Sequence, residues 1–333
     1  EAAMAFRRSA VDGHVDLKRW GRSAMGELFP LWMLKYLPNM PACHIGIGQD
    51  ARGPNNTITL GDVSSLSALA EAVRVLDRGQ ADALIAGGVG ARLHPLDFAR
   101  GQVTGLTRQA DPAVACRPFD ARRDGVVNGE GAGSVILEPD DKAQARGANR
   151  LARVLGCANV FAPPADRSSA HGTAASDRSS ADGTASCDRL AADGTSVPAR
   201  VGLAIRRAVR GALDDAGLTP ADVGLVVAHG VSTVDDDRVE AQAIHEVLGD
   251  VPLTAPKSYF GHLGPGAGAL ETALAVLALQ HRLIPPTLNY ERPDPECPAN
   301  VVRGQPAPLA KPVALILSHT RYGQAVAVAL GGI

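Results

Sequence analysis

The stretch that most narrows the fold is Gly53-Pro54-Asn55-Asn56-Thr57-Ile58-Thr59-Leu60-Gly61-Asp62-Val63-Ser64-Ser65, which runs straight into Leu66, Leu69, Ala70, Ala72, Val73 and Leu76. The three- and four-residue spacing of that second set predicts a helix over 66–76, with Asp62, Ser64 and Ser65 offering N-cap oxygens. The run before it predicts a buried strand. A strand that turns sharply into a helix presents one side chain, here Asp62, at the positive end of the helix dipole, a geometry that suits an exposed nucleophile. As a cap alone, Asp62 would stabilise the helix by about 1 kcal/mol. Past the helix, Ala83-Leu84-Ile85-Ala86-Gly87-Gly88 reads as an apolar strand. Two strands flanking one helix predict a parallel crossover and an α/β fold.

Upstream, residues 1–25 have helical tendency, Leu28 to Leu37 form an apolar helix that Pro38 stops, and His44 to Gly48 reads as a short strand. Downstream, Gly129-Glu130-Gly131-Ala132-Gly133 leads into a strand at 134–137. A helix at 141–146, a strand at 152–160, a helix at 201–216, a strand at 223–228 and helices at 238–248 and 267–279 follow. Two final apolar strands at 313–317 and 325–330 are joined by a loop from Ser318 to Gln324. Residues 165–197 break the pattern: an eleven-residue unit rich in Ser, Ala, Asp and Gly occurs three times. Such small polar residues bury too little surface to offset ordering, so 162–198 reads as a flexible insertion. His171, Asp182 and Cys187 within it lack metal-ligand spacing.

Charge and cysteine usage exclude several classes. A formal net charge of −2 gives no footprint for nucleic acid or an anionic membrane, and no apolar run approaches a bilayer span. A soluble cytoplasmic protein is expected. The five cysteines are scattered without a Cys-x-x-Cys pair, which indicates reduced thiols and no metal site. Cys43 reads as a core residue.

Chemistry gathers at strand and helix ends. His229-Gly230-Val231-Ser232-Thr233 closes the strand at 223–228, and Lys257 precedes Gly261-His262, Gly268 and Glu271. A single histidine after a strand is ordinarily a hydrogen-bonded structural residue. Two, with a lysine five residues before one of them, can supply donors for a developing enolate or oxyanion, the lysine tuning their charge.

At these motifs the chain resembles the β-ketoacyl-acyl carrier protein synthases, the condensing enzymes of the thiolase superfamily in fatty acid and polyketide synthesis. Gly53-Pro54-Asn55, Ala81-Asp82 with Ala86-Gly87-Gly88, Pro118-Phe119-Asp120 with Arg123-Asp124-Gly125, and the glycine run 129–133 stand in the expected order with the histidine and lysine motifs. The resemblance implies a thiolase-like α/β fold of two similar halves in five layers, residues 1–150 and 151–333, with the N-terminal part shortened because only 61 residues precede Asp62. It implies a dimer, homo- or heterodimeric, acting on acyl chains carried by phosphopantetheine of an acyl carrier protein, with no cofactor of its own.

His229 and His262 match the family's catalytic histidines, Lys257 and Glu271 the supporting charged pair, and Thr233 a pantetheine contact. His319, Arg321 and Gly323 fall in the loop that gates the acyl pocket. Asp62 stands where the family has the cysteine that takes the acyl group, and a carboxylate forms no acyl thioester. Val231 replaces a threonine, and Ser318-His319-Thr320-Arg321-Tyr322-Gly323-Gln324 replaces an alternation of Phe and Gly. Two readings stay open. In one, an enzyme keeps the histidine half of the chemistry, as a decarboxylase of malonyl-carrier thioester or with Asp62 as general base on a β-ketoacyl or hydroxyacyl group. An anionic Asp62 would repel a malonyl carboxylate unless burial raised its pKa. In the other, a non-catalytic, chain-length-factor-like subunit pairs with an active synthase.

Overall fold

The structure, a computed structural model, describes residues 2–29, 31–94, 105–163 and 197–333. The repeats at 165–196, with His171, Asp182 and Cys187, lie outside the described residues. The chain divides into two units, Glu1–Thr57 and Ile58–Ile333.

Within the first unit, the helix Ala2–Ser9 is followed by a two-residue antiparallel pair, Ala10–Val11 with His14–Val15. Asp16 then accepts from the N–H groups of Lys18 and Arg19 (2.8 and 3.1 Å) and caps a short helical turn. The helix expected over 28–37 is a 3-10 turn, Trp32–Tyr36. The strand expected at 44–48 is instead the end of a helix, Met40–Gly48. Pro41 sits in its first turn, where a missing N–H costs nothing, and an apolar run as short as Ile45 to Ile47 does not distinguish strand from buried helix by period. No residue of that helix is buried, so Cys43 is half-exposed rather than core.

In the second unit the main elements, in order, are helix α1 (Ser64–Asp77), strands β1 (Leu84–Ala91), β2 (Glu130–Leu137) and β3 (Arg153–Phe161), helix α2 (Val197–Ala216), strand β4 (Leu225–Val227), helix α3 (Val234–Leu248), strand β5 (Pro252–Thr254), helix α4 (Ala267–His281), and strands β6 (Asn300–Val301), β7 (Val313–His319) and β8 (Gln324–Gly331). The helix expected at 141–146 is Asp140–Ala145.

Every residue of β7 is buried, as a continuous apolar run requires at the centre of a covered sheet. It pairs parallel with β4, Ile316 opposite Val227, and antiparallel with β8, Ser318 opposite Val326. The six-stranded sheet runs β3-β8-β7-β4-β5-β6. Its faces hold separate cores: Leu315 and Leu317 pack with α2 residues such as Ile205 and Val209, while Ala314 and Ile316 pack with Leu66, Leu69, Ala275 and Leu279 of α1 and α4. Successive side chains of one strand thus bury α1 and α4 on one face and α2 on the other.

The parallel crossover expected around α1 does not form. Residues 53–60 make no strand, and β1 pairs antiparallel with β2 in a two-stranded ribbon, Gly87 opposite Ser134. An apolar run states that a strand is covered and leaves its partner and direction open. The ribbon's glycines serve close packing: a Cβ on Gly90 would lie 1.8 Å from the carbonyl oxygen of Leu263. No helix among the described residues is long and apolar enough to cross a membrane.

Candidate active site

The turn ahead of α1 is a 3-10 segment, Gly61–Val63, with Gly61 at φ +63°. Ser64 closes it: its hydroxyl accepts from the Leu60 N–H (2.9 Å) and donates to the Gly61 carbonyl (2.7 Å). Asp62 is therefore not the helix cap. Its Oδ1 accepts from Arg92 Nη2 at 2.8 Å and lies 3.3 Å from His262 Nε2. Burial pushes the Asp62 carboxyl up, but the hydrogen bond and charge of His262, with Arg92 and Lys257, outweigh it and hold the group well below the usual carboxylate range. Burial also pulls the His262 imidazole down, against the pull of Asp62. An anionic carboxylate thus faces Nε2 of an imidazole whose basicity is reduced, an arrangement that favours the Nε2–H tautomer of His262.

His229 follows β4 and is held by its backbone. The N–H groups of His229 and Gly230 donate to Glu240 Oε1 and Oε2 of α3 (2.7 and 2.8 Å), and those of Val231 and Ser232 to Asp237 Oδ1 (2.9 and 3.1 Å). Lys257, fully buried, donates to the His229 carbonyl and to Glu271 Oε1, and its Nζ lies 3.1 Å from His229 Nδ1. An ammonium has no lone pair to offer, so Nδ1 accepts and the ring proton is on Nε2. Burial, then Lys257, depress the His229 pKa far below normal and keep the ring neutral. Glu271, also fully buried, is pushed up by burial and pulled back by Lys257. The His229 and His262 rings stand edge to face with centroids 5.8 Å apart.

His319 is not in a gating loop. It is the last residue of β7, 2% exposed, with its ring centroid 4.6 Å from that of His229 and its Nε2 3.7 Å from Glu240 Oε2. Burial lowers its pKa, but Glu240 more than restores it, so the net shift is upward. Ser318 beside it donates to the carbonyl of Asp62 (2.8 Å) and ties β7 to the opening turn. The rest of the expected loop is a tight turn in which Thr320 N–H donates to Gln324 and Gly323 N–H, at φ +84°, to Thr320. Arg321 is exposed there. Thr233 caps α3, its hydroxyl accepting from Asp236 N–H (3.3 Å) and donating to Asp236 Oδ2 (2.9 Å).

The structure therefore brings Asp62, His229, His262, Lys257, Glu271 and His319 together, and gives Thr233 and Gly323 work in a helix cap and a turn. Arg92, Glu240 and Ser318 escape sequence reasoning. Arg92 follows the end of a glycine-rich strand, the one local sign of its placement. Cys116 supplies no alternative nucleophile: its thiol donates to the Lys257 carbonyl (3.1 Å) and burial pushes it up to about 12. Among the described residues no group of three or more His, Cys, Asp or Glu side chains could hold a metal ion.

The mixed sheet covered by helices is an α/β fold, and its alignment with solved ketosynthases makes it thiolase-like. The chain belongs to the β-ketoacyl synthase family: residues 12–143 match the family described as beta-ketoacyl synthase, N-terminal domain, and residues 181–291 the corresponding C-terminal domain. It is 36% identical over 326 residues to a 3-oxoacyl-[acyl-carrier-protein] synthase 2 of Mycobacterium tuberculosis, covering 96% of this chain and 70% of that one. A synthase of the same name from Synechocystis is 34% identical over 90% of this chain and 67% of its own. Among solved structures, a type II PKS ketosynthase in complex with its acyl-carrier protein and bound to the hexaketide aligns with a TM-score of 0.77 at 28% identity, over 92% of this chain and 69% of that one. The ishigamide ketosynthase/chain length factor aligns with a TM-score of 0.77 at 25% identity, over all of this chain and 72% of that one.

Proposed function

We propose that this protein acts in fatty acid or polyketide synthesis on malonyl or related acyl groups borne as thioesters by an acyl carrier protein, and does so through its histidines without forming an acyl-enzyme. The observation that carries the reading is the Lys257 contact at Nδ1 of His229, which keeps Nε2–H as a donor beside His262 in a buried site. In decarboxylation the bond to the malonyl carboxyl breaks and carbon dioxide leaves. The electron pair moves onto the thioester as an enolate, its oxygen accepts the hydrogen bond of His229, and a proton from solvent water then adds to the carbon, leaving the acetyl thioester. Asp62, at the position that resemblance gives to the nucleophilic cysteine, forms no thioester. Its repulsion of a malonyl carboxylate is relieved by its pairing with Arg92, not by protonation. The same low pKa makes Asp62 a poor general base and leaves it a partner of His262.

The test is to incubate the purified chain with malonyl-carrier protein and follow acetyl-carrier protein by mass spectrometry. Turnover that falls about 100-fold or more in His229→Ala is expected. Wild-type turnover no faster than the protein-free control removes the enzymatic reading.

A second reading, a chain-length-factor-like subunit, is favoured by one feature: the protein's own Asp62 Oδ1 stands 3.3 Å from His262 Nε2, where a substrate oxygen would have to compete with it. It requires a cysteine-bearing synthase as partner, and co-purification of such a partner, with product length altered in its presence and no turnover by this chain alone, supports it.

A further inference from the structure

The two histidines are not equivalent, and the difference lies in what already occupies their rings. All contacts of the His229 ring with Lys257 and Ser318 use Nδ1, at 3.1 and 3.4 Å, which leaves Nε2–H for a ligand. For His262 the position is reversed, since Asp62 Oδ1 stands 3.3 Å from Nε2. A carboxylate this near to Nε2 competes with a neutral carbonyl oxygen for a proton there, since charged acceptors bind an N–H more strongly than neutral ones. Arg92 keeps the carboxylate there. Its backbone is clamped, N–H to the Gly129 carbonyl (3.0 Å) and carbonyl from Asn128 Nδ2 (3.2 Å), and its Nη2 reaches the same Oδ1 at 2.8 Å.

We propose that Asp62 and Arg92 act as one unit that splits the histidine pair: Asp62 takes the Nε2–H of His262, Arg92 is the positioning residue that holds Asp62 and cancels its charge, and His229 alone offers an N–H to a carrier-bound acyl group. Only the last clause rests on the proposed function. The first two concern the protein without substrate, so they stand or fall separately from it. The charged groups acting on His262 are Asp62, Arg92 and Lys257, and the unit predicts opposite effects for its two members.

The experiment is a pH titration by NMR of the full chain carrying 15N- and 13C-labelled histidine, with thermal melting to confirm that each variant folds. The wild-type His262 ring is expected to carry its proton on Nε2. Arg92→Gln removes a cation and moves the His262 midpoint up by about one pH unit, whereas Asp62→Asn removes an anion and moves it down by a similar amount. Neither changes the tautomer of His229, which Lys257 sets. A proton on Nδ1 of His262 in the wild type, shifts of the same sign in both variants, or a midpoint that Arg92→Gln leaves in place overturns the unit. With acetyl-carrier protein added, the ring 15N shifts of His229 move and those of His262 stay. A response at His262 instead overturns the division of labour.

Discussion

The two ends of the site are held differently. At one end Lys257 is sealed from solvent and meets the His229 carbonyl, His229 Nδ1 and Glu271. At the other, the ion pair of Asp62 and Arg92 keeps 19% and 31% of its side-chain surfaces exposed. A sealed charge depends wholly on its partners, because water cannot replace them, while a half-open pair keeps part of its hydration. The Lys257 end is therefore bound to the stability of the fold, and the Asp62 end is where chemistry can vary without loss of the scaffold.

The largest effect should come from breaking the sealed end. Lys257→Met leaves Glu271 buried without its counter-charge and should cost about 3–5 kcal/mol in chemical denaturation. Adding Glu271→Leu should recover most of it. If Lys257→Met unfolds no more easily than Asp62→Asn, the contrast between the ends is gone.

Asp62→Asn should cost about 1.5 kcal/mol at neutral pH, since it weakens hydrogen bonds to Arg92 and His262. The sign with pH follows from the depressed carboxyl. The difference between wild type and variant is full above the unfolded carboxyl value of about 3.9 and is lost as pH falls toward the lower folded value. Denaturation midpoints from pH 7 down to pH 2 check it: the difference stays level above about pH 4 and shrinks below it.

Thr233→Ala should cost about 1 kcal/mol through loss of the α3 cap, read from thermal melting. A similar loss of affinity for the carrier protein, with no change in melting, would move Thr233 from the cap to the pantetheine arm. The smallest effect belongs to His319→Gln. Because Glu240 raises the pKa of His319 in the fold, its contribution is present below the unfolded histidine value of about 6.5 and fades as pH rises through the folded one. The gap in melting temperature between wild type and variant should therefore narrow on the alkaline side.

Much of the scaffold is legible in the sequence. The periodic run Leu66 to Leu76 is α1, and the unbroken apolar runs near 313 and 325 are the neighbouring strands β7 and β8. Local period reports which face a segment buries, and little else. It could not reveal that β1 returns antiparallel on β2, or that 44–48 belongs to a helix, since pairing direction and short apolar runs are settled by distant neighbours. His229, His262, Lys257 and Glu271 are readable because each stands in or beside a glycine-marked motif that the resemblance matches. Arg92 was not, because its meaning comes from a carboxylate thirty residues earlier. His319 was placed in a loop and stands in a strand, since β7 runs two residues beyond its last apolar side chain.

One carboxylate has a mechanical consequence. Glu240, in the second turn of α3, grips two successive peptide N–H groups, those of His229 and Gly230, while Thr233 opens the same helix. Arg123 holds the start of that helix in turn, donating to the carbonyls of Thr233 and Val234 (2.9 and 2.8 Å), so helix and histidine are pinned as one piece. A shift of α3 along its axis cannot leave that imidazole in place without breaking both bonds.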